Sequence, residues 1–369
     1  MTTKIRLAVV RCDTHSYYFG MLMAPCDLRS VERHNKIAHF YATDWYDPDH
    51  LILPTTFDFD IVSCWDADPD RAEQFRTAFR DRPRVCSEVA EMTADIDAVF
   101  IADCDGGGTD HLELARPFLE HGIPTFVDKP FAATIGDARA IVALAEKHGA
   151  PLYNSSILSE VIAAENFKRR FPEIGPEGAN WTELAQAAVG MNCRPDQVPG
   201  VRLGVVKGVG GAMSQENLGS RDRLGGIEDR LAYIIHGIAL ALNVFGDDVE
   251  WVEAMGTLPL EYLHLHLRSG RDVIVLNTSV EVFPERCSFY VEAYSKMGVI
   301  HSQPIGDPEF LRGADRIVGK FRDMVRTGTP PRPYPELLLP IAVIEAGVAA
   351  QRSGSRVALA DVMNGAGNL

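Results

Sequence analysis

Lys129 is the side chain whose type and position point most directly to chemistry. It follows the short apolar run Thr125–Val127, and Pro130 stops regular structure just after it. An amine past the carboxyl end of a parallel strand stands where open α/β sheets bind ligands. Asp128 is its neighbour. Other acids end other apolar runs: Asp13 after Lys4–Val10, Asp66 after Phe59–Trp65, Asp103 and Asp105 after Asp97–Ala102. Asp13, Asp103 and Asp105 would gather near one site on this edge. Like charges a few ångström apart repel by roughly 4 kcal/mol at an effective dielectric of about 20. Arg11 could neutralise part of that charge, or Gly106–Gly108 could let the acidic loop swing clear.

The elements that must carry these residues alternate. Residues 97–131 read as strand, loop, helix, strand. Asp110 with Glu113 forms a candidate amino-terminal cap, and Leu112, Ala115 and Leu119 share one helix face. Gly122 and Pro124 end that helix. Val85–Ala94 is a short helix-like connection. Thr134–His148 is helical, with Ile141, Leu144 and Ala145 apolar and Gly149 as its stop, and Pro151–Ser155 is a further strand. This repetition predicts a doubly wound parallel sheet.

A dinucleotide-binding unit places G-x-G-x-x-G after its first strand. Here Arg11, Cys12, Asp13, Thr14, His15 and Ser16 occupy the turn, and the first glycine is Gly20. Thr14 or Ser16 could cap a helix whose amino end stays open to an anion, whereas Asp13 would repel one. Asp66 would take ribose hydroxyls and favour NAD over NADP. It reads equally as the cap of the following helix. Residues 21–58 form an unusually long segment between the first two strands. Its His34, His39, Tyr41, Trp45, Tyr46, Asp47, Asp49 and His50 could line a polar pocket or form a lid. A surface or subunit-contact insertion suits them better than a metal site, because no ligand spacing is recognisable.

Composition changes after residue 155. Ile157–Arg170 reads as an amphipathic helix, Val201–Lys207 as a strand and Ile227–Phe245 as a long apolar helix. Strand patterns follow at Val249–Met255, Leu260–Leu267, Asp272–Val282 and Cys287–Tyr294. The partial alternation in Leu260–Leu267 predicts a sheet with one polar face, and Arg268–Arg271 is a hairpin turn. Helices near Pro308–Arg326 and Glu336–Arg352 close the chain. The expected architecture is α/β: a Rossmann doubly wound parallel sheet over 1–155, then an α/β domain over 156–369 with an open, mainly antiparallel sheet.

The totals agree. A chain of 369 residues is long for one core. The formal charge of −15 disfavours nucleic acid and anionic membranes as partners. No apolar run approaches a membrane span, and the first ten residues are too short for a signal peptide. Seven cysteines without a C-x-x-C pair fit reduced thiols in a cytoplasm. No metal ligand set is expected.

DAVFIAD…H at 97–111, HGIPTFVDKPFA at 121–132 and the tail RTGTPPRPYPELLLPIAVIEAGVAAQRSGSRVAL together resemble the glucose–fructose oxidoreductase / inositol dehydrogenase / MocA (Gfo/Idh/MocA) family over most of the chain. The resemblance implies NAD or NADP, a hydroxyl-bearing substrate such as a sugar or cyclitol, and homodimers or homotetramers through the second sheet. It places Lys129 of D-K-P beside nicotinamide and substrate, where a lysine can take up the hydroxyl proton. It places the family's helix histidine at His236. Ala232 and Ala239 stand where the family has acids, and Tyr233 and Asn243 are candidates to replace the lost hydrogen bonds. The family's T-P after the fourth strand is replaced by Asp103-Cys104-Asp105. The reading is an NAD-dependent oxidoreductase with Lys129, His236 and Tyr233 catalytic. Cofactor contacts would come from residues 12–16, Asp66, Asp103, Asp128 and Lys129. A redox-neutral lyase or isomerase using bound NAD, or a non-catalytic member of the family, are the alternatives.

Overall fold

The computed structural model describes residues 3–44, 46–103, 107–174, 201–209, 234–257, 260–278, 289–295 and 298–365. Tyr233, Asp105 and the 227–233 part of the expected long helix lie outside them. The chain packs as two units, Met1–Glu160 with Leu311–Ile341, and Val161–Phe310 with Ala342–Leu369. Residues 311–341 thus pack with the first unit although they follow most of the second in sequence.

The first unit holds β1 (Ile5–Val10), α1 (Thr14–Met23), α2 (Leu28–His34), α3 (Lys36–Ala42), β2 (Phe59–Trp65), α4 (Pro69–Ala78), β3 (Arg84–Val85), β4 (Ala98–Ile101), α5 (His111–Glu120), β5 (Thr125–Val127), α6 (Ile135–His148) and β6 (Leu152–Tyr153). Its sheet runs β3-β2-β1-β4-β5-β6, and every pair is parallel. The strand order reverses between β1 and β4, which makes the crevice past their carboxyl ends the ligand position of this topology.

β4 and β5 are buried at every position, as parallel strands covered on both faces require. Phe100 and Phe126 stack with ring centres 4.1 Å apart, and Phe321 meets Phe100 edge-on at 5.4 Å and Phe59 face-on at 5.9 Å. That aromatic cluster joins the helix Asp307–Thr327 to the sheet.

α1 is apolar on all sides, and Ser16–Met23 are all buried. Such a helix needs cover on every face. The segment after it supplies cover: α3 packs on α1, α2 packs on α3 and α4, and Val31, Ala38 and Ala42 join the core. The long segment is therefore in large part a structural layer. Its tip fits a surface insertion, with Tyr46 at 98% exposure.

Two local expectations change. The buried face of α5 is His111, Leu114, Ala115, Phe118 and Leu119, with Leu112 only half-buried. Residues 157–170 do not form one helix: a 3-10 turn at Ile157–Ser159 precedes α7 (Ile162–Lys168). Glu160 ends the first unit. Its carboxylate is 2% exposed and receives Tyr153, Ser155, Lys320 and Arg332.

In the second unit the strands are β7 (Leu203–Val209), β8 (Val249–Thr257), β9 (Leu260–Leu267), β10 (Asp272–Thr278), β11 (Tyr290–Ser295), β12 (Gly298–His301) and β13 (Val357–Ala358). The sheet order is β12-β11-β7-β10-β9-β8-β13. β7 and β10 are parallel and the other pairs antiparallel. Leu263, Leu265 and Leu267 are buried while Tyr262, His264 and His266 are half-buried, as the alternation predicts. The helix Ile235–Phe245 lies on the apolar face. It packs so closely that a Cβ on Gly204 would meet the Phe245 ring at 2.5 Å.

Candidate active site

The carboxyl edge of the first sheet gathers six of the predicted acids and bases: Asp13, His15, Asp66, Asp103, Asp128 and Lys129. β1 ends in a turn where Arg11 takes the left-handed conformation (φ 68°) that a glycine usually supplies. α1 is capped by Asp13, whose side chain accepts the His15 N–H at 2.9 Å, rather than by Thr14 or Ser16. The Ser16 hydroxyl donates back to the Asp13 carbonyl at 2.7 Å. Asp13 is 5% exposed.

Asp66 does not cap α4; Asp68 does. The buried Asp66 carboxylate takes the Cys12 N–H at 2.7 Å with one oxygen and the Asp68 N–H at 2.8 Å with the other. It closes the turn after β1 onto the end of β2. The Cys12 thiol is buried between β1 and β2, and burial, with Cys64 and Asp66 close by, pushes its pKa well up. It is an inert packing thiol, and its N–H is already spent on Asp66.

Asp128 and Lys129 follow β5. One Asp128 oxygen accepts the Lys129 N–H at 2.7 Å, and the other meets His15 Nδ1 in a very short contact. Asn154, after β6, donates to the carbonyls of Val127 at 2.8 Å and Asp128 at 3.0 Å. The Lys129–Pro130 bond is cis. Gly108 (φ 78°) lies against this bend: a Cβ there would meet the Ala132 carbonyl carbon and the Pro130 oxygen, each at 2.9 Å. The backbone under Lys129 is thus held from three sides, while its half-buried ammonium has no hydrogen-bond or ion-pair partner among the described residues.

Beyond β4 the geometry departs from the expected capping pair. Asp110 stands at the start of α5 but makes no capping bond; it pairs with the Arg11 guanidinium instead. Arg11 also lies 5.4 Å over the Trp65 ring. Burial disfavours the Arg11 charge, but Asp110, Asp103 and Asp66 outweigh it and raise the pKa. Asp103 is 3% exposed, and its carboxylate comes within 3.7 Å of Nε2 of the fully buried His111. Burial lowers the His111 pKa. Sequence reading saw His111 only as part of a matched stretch. The adjacent pair Asp110-His111, set across a triple glycine from Asp103, was the available signal.

His236 lies in the second unit, in the first turn of the helix Ile235–Phe245. It is half-buried, and its ring meets Phe289 edge-on at 6.4 Å. Asn243, two turns on, has its carbonyl bound by Lys168 at 2.8 Å.

Comparison with known proteins gives similarities over part and over most of the chain. Residues 34–155 match the Gfo/Idh/MocA family, oxidoreductases with an NAD-binding Rossmann fold. Over this stretch the chain is similar to the Gfo/Idh/MocA oxidoreductases. A myo-inositol dehydrogenase, Hyg17 of Streptomyces leeuwenhoekii, is 33% identical over 121 residues, covering 32% of this chain. The match spans about a third (33%) of that curated relative's length. Two solved structures follow nearly the whole chain. An oxidoreductase from Agrobacterium radiobacter in complex with NAD+, L-tartaric acid and magnesium superposes with TM-score 0.66 at 18% identity, covering 97% of this chain and 99% of that one. A myo-inositol dehydrogenase from Lactobacillus casei in complex with NAD(H) and myo-inositol gives 0.66 at 13% identity, covering 96% and 97%. At these identities the structures show a shared fold over nearly the whole chain. Among the described residues no helix is long and apolar enough to cross a membrane.

Proposed function

We propose that this chain is an NAD-dependent oxidoreductase that acts on a hydroxyl carbon of a sugar, polyol or similar small metabolite. The observation that carries this reading is Lys129. In a chain with an NAD-binding family match, a half-buried ammonium without a partner among the described residues stands past β5, its backbone fixed by Asp128, Asn154 and Gly108.

The residues present fit a dinucleotide. Arg11 supplies the tight turn, and the first turn of α1, residues 14–16, opens at the switch point. Each Asp66 oxygen accepts one backbone bond and keeps a lone pair for a ribose hydroxyl. Asp13, Asp103 and Asp128 set the charge along the cofactor's path, with Arg11 against them. When bound, NAD supplies the hydride acceptor. Lys129, as the neutral amine that a positive nicotinamide ring alongside would favour, would take the proton from the substrate hydroxyl and become the ammonium, and the Asp128–His15 pair stiffens the bend that aims it. His236 and Tyr233 are the further catalytic residues that the family resemblance implies. The polar face of the second sheet serves as the subunit contact of a homodimer or homotetramer, and the compartment is the cytoplasm.

Titration of the purified chain with NADH, read by nicotinamide fluorescence, tests the core of this reading. Saturable binding supports it, and no binding at millimolar cofactor sinks it. The Asp13 cap favours one other reading, a non-catalytic member of the family, because it places a carboxylate where a pyrophosphate would bind. That reading gains from a failed titration and loses from NADH production with any polyol.

A further inference from the structure

The carboxylates of Asp103 and Asp110 and the imidazole of His111 converge, one ligand atom from each, to within 4.8 Å of one another. Acids at a sheet edge often gather without a ligand, so the decisive group is the histidine. His111 is fully buried. Its Nδ1 lies 3.3 Å from the Phe131 carbonyl and must donate there, which in the neutral ring leaves the lone pair on Nε2. Nε2 has no hydrogen-bond partner among the described residues and faces the Asp103 carboxylate from 3.7 Å. An acceptor nitrogen buried against a carboxylate is unfavourable for both groups unless something positive lies between them.

We propose that Asp103, Asp110 and His111 bind a first-row divalent metal ion. One imidazole and two carboxylates form the donor set of zinc or manganese rather than of a soft monovalent ion. The surroundings suit that role. The Phe131 carbonyl fixes the ring orientation of His111, as outer partners of metal-bound histidines do. Arg11 holds one Asp110 oxygen and leaves the other to turn toward the cluster. Asp110 is 30% exposed at its side chain, so an ion reaches the site along it, while Asp103 and His111 form the buried floor. Three protein donors leave positions for water or for an oxygen ligand. The site lies at the end of β4, beside the β1 turn, where the ion would offset the local excess of acid.

The test needs no substrate or NAD, so its outcome is separate from that of the proposed redox function. The full chain, stripped with a chelator, is titrated with Zn2+, Mn2+ and Mg2+ by calorimetry, and with Co2+ followed by visible absorbance. The expected result is one Zn2+ or Mn2+ per chain, Mg2+ at least tenfold weaker, and a Co2+ spectrum showing nitrogen ligation. Asp110→Asn, at the partly exposed position, should weaken binding at least tenfold while the metal-free chain still folds, its melting temperature lowered by the loss of the Arg11 pair. His111→Gln should abolish the nitrogen-ligated Co2+ spectrum. If His111→Gln fails to fold, the Asp110→Asn titration and the wild-type Co2+ spectrum decide. Absence of stoichiometric binding by the wild type, or binding unchanged by Asp110→Asn, overturns the site.

Discussion

The backbone N–H of Cys12 donates to the Asp66 carboxylate across 2.7 Å, and through that bond the turn after β1 is fastened to the end of β2. The same carboxylate holds the N–H of Asp68, so one buried side chain serves two backbone donors. Asp66→Ala strands both. Leaving a buried donor unmet costs about 1–3 kcal/mol. Urea denaturation should show a loss within or somewhat above that range. An unchanged midpoint would mean the turn is held by other means.

Lys129→Met keeps length and removes the amine. If Lys129 takes the hydroxyl proton, turnover should fall by roughly 10²-fold or more. The NADH dissociation constant should stay within about threefold, because the fold and the Asp128–His15 pair are untouched. Equal losses in turnover and in cofactor affinity would assign Lys129 to binding instead.

Gly108→Ala tests the bend under Lys129 without touching the lysine. The residue has φ 78°, and the new Cβ would press on backbone atoms at 2.9 Å. Backbone strain of this kind costs on the order of 1–3 kcal/mol. Turnover should drop along with the melting temperature, and Gly122→Ala, with its nearest neighbour at 3.4 Å, should spare turnover.

Acid should loosen the first unit partly through Asp97. Arg6 hydrogen-bonds this carboxylate with its guanidinium and its backbone N–H, and holds its pKa below the usual carboxylate range. A group depressed in the folded state adds stability above its unfolded pKa, about 3.9. That stability is lost as pH falls through the lower folded value. Melting temperature against pH should therefore slope down below about pH 4, and Asp97→Asn should flatten part of that slope. An unaltered slope would show that Asp97 does not contribute.

Much of the fold could be read from the residues because its signals are local. Thr134 caps α6 by accepting the Asp137 N–H, and Gly149 ends it in the left-handed region, both within a few residues of their targets. Alternation in Leu260–Leu267 assigns the two sheet faces without knowledge of the neighbours. The site was read less well because its bonds are long-range. Asp110 next to α5 looks like a cap; only the fold brings Arg11, 99 residues away, to claim it. Asp66 reads from sequence as ribose holder or helix cap, and the structure gives it another task, accepting the N–H groups of Cys12, 54 residues back, and of Asp68. Residues 21–58 could not be recognised as cover for α1 until α1 was seen to be buried on all faces.

Phe321→Ala should be the most damaging of these changes. It removes the ring that meets Phe59, Phe100 and Phe126 in the first unit. Loss of a buried phenylalanine costs about 3–5 kcal/mol, measurable as a shift of the denaturation midpoint.

That ring also sets a schedule for synthesis. The sheet of the first unit is complete once residue 153 has been made, yet the Phe321 that closes over Phe59, Phe100 and Phe126 emerges only after most of the second unit. On a ribosome the nascent amino-terminal half must wait with an apolar surface open, a state prone to sticking to other chains. Fragments ending near Glu160 should therefore depend on chaperones for as long as the helix Asp307–Thr327 is missing, and supplying that helix in trans should release them.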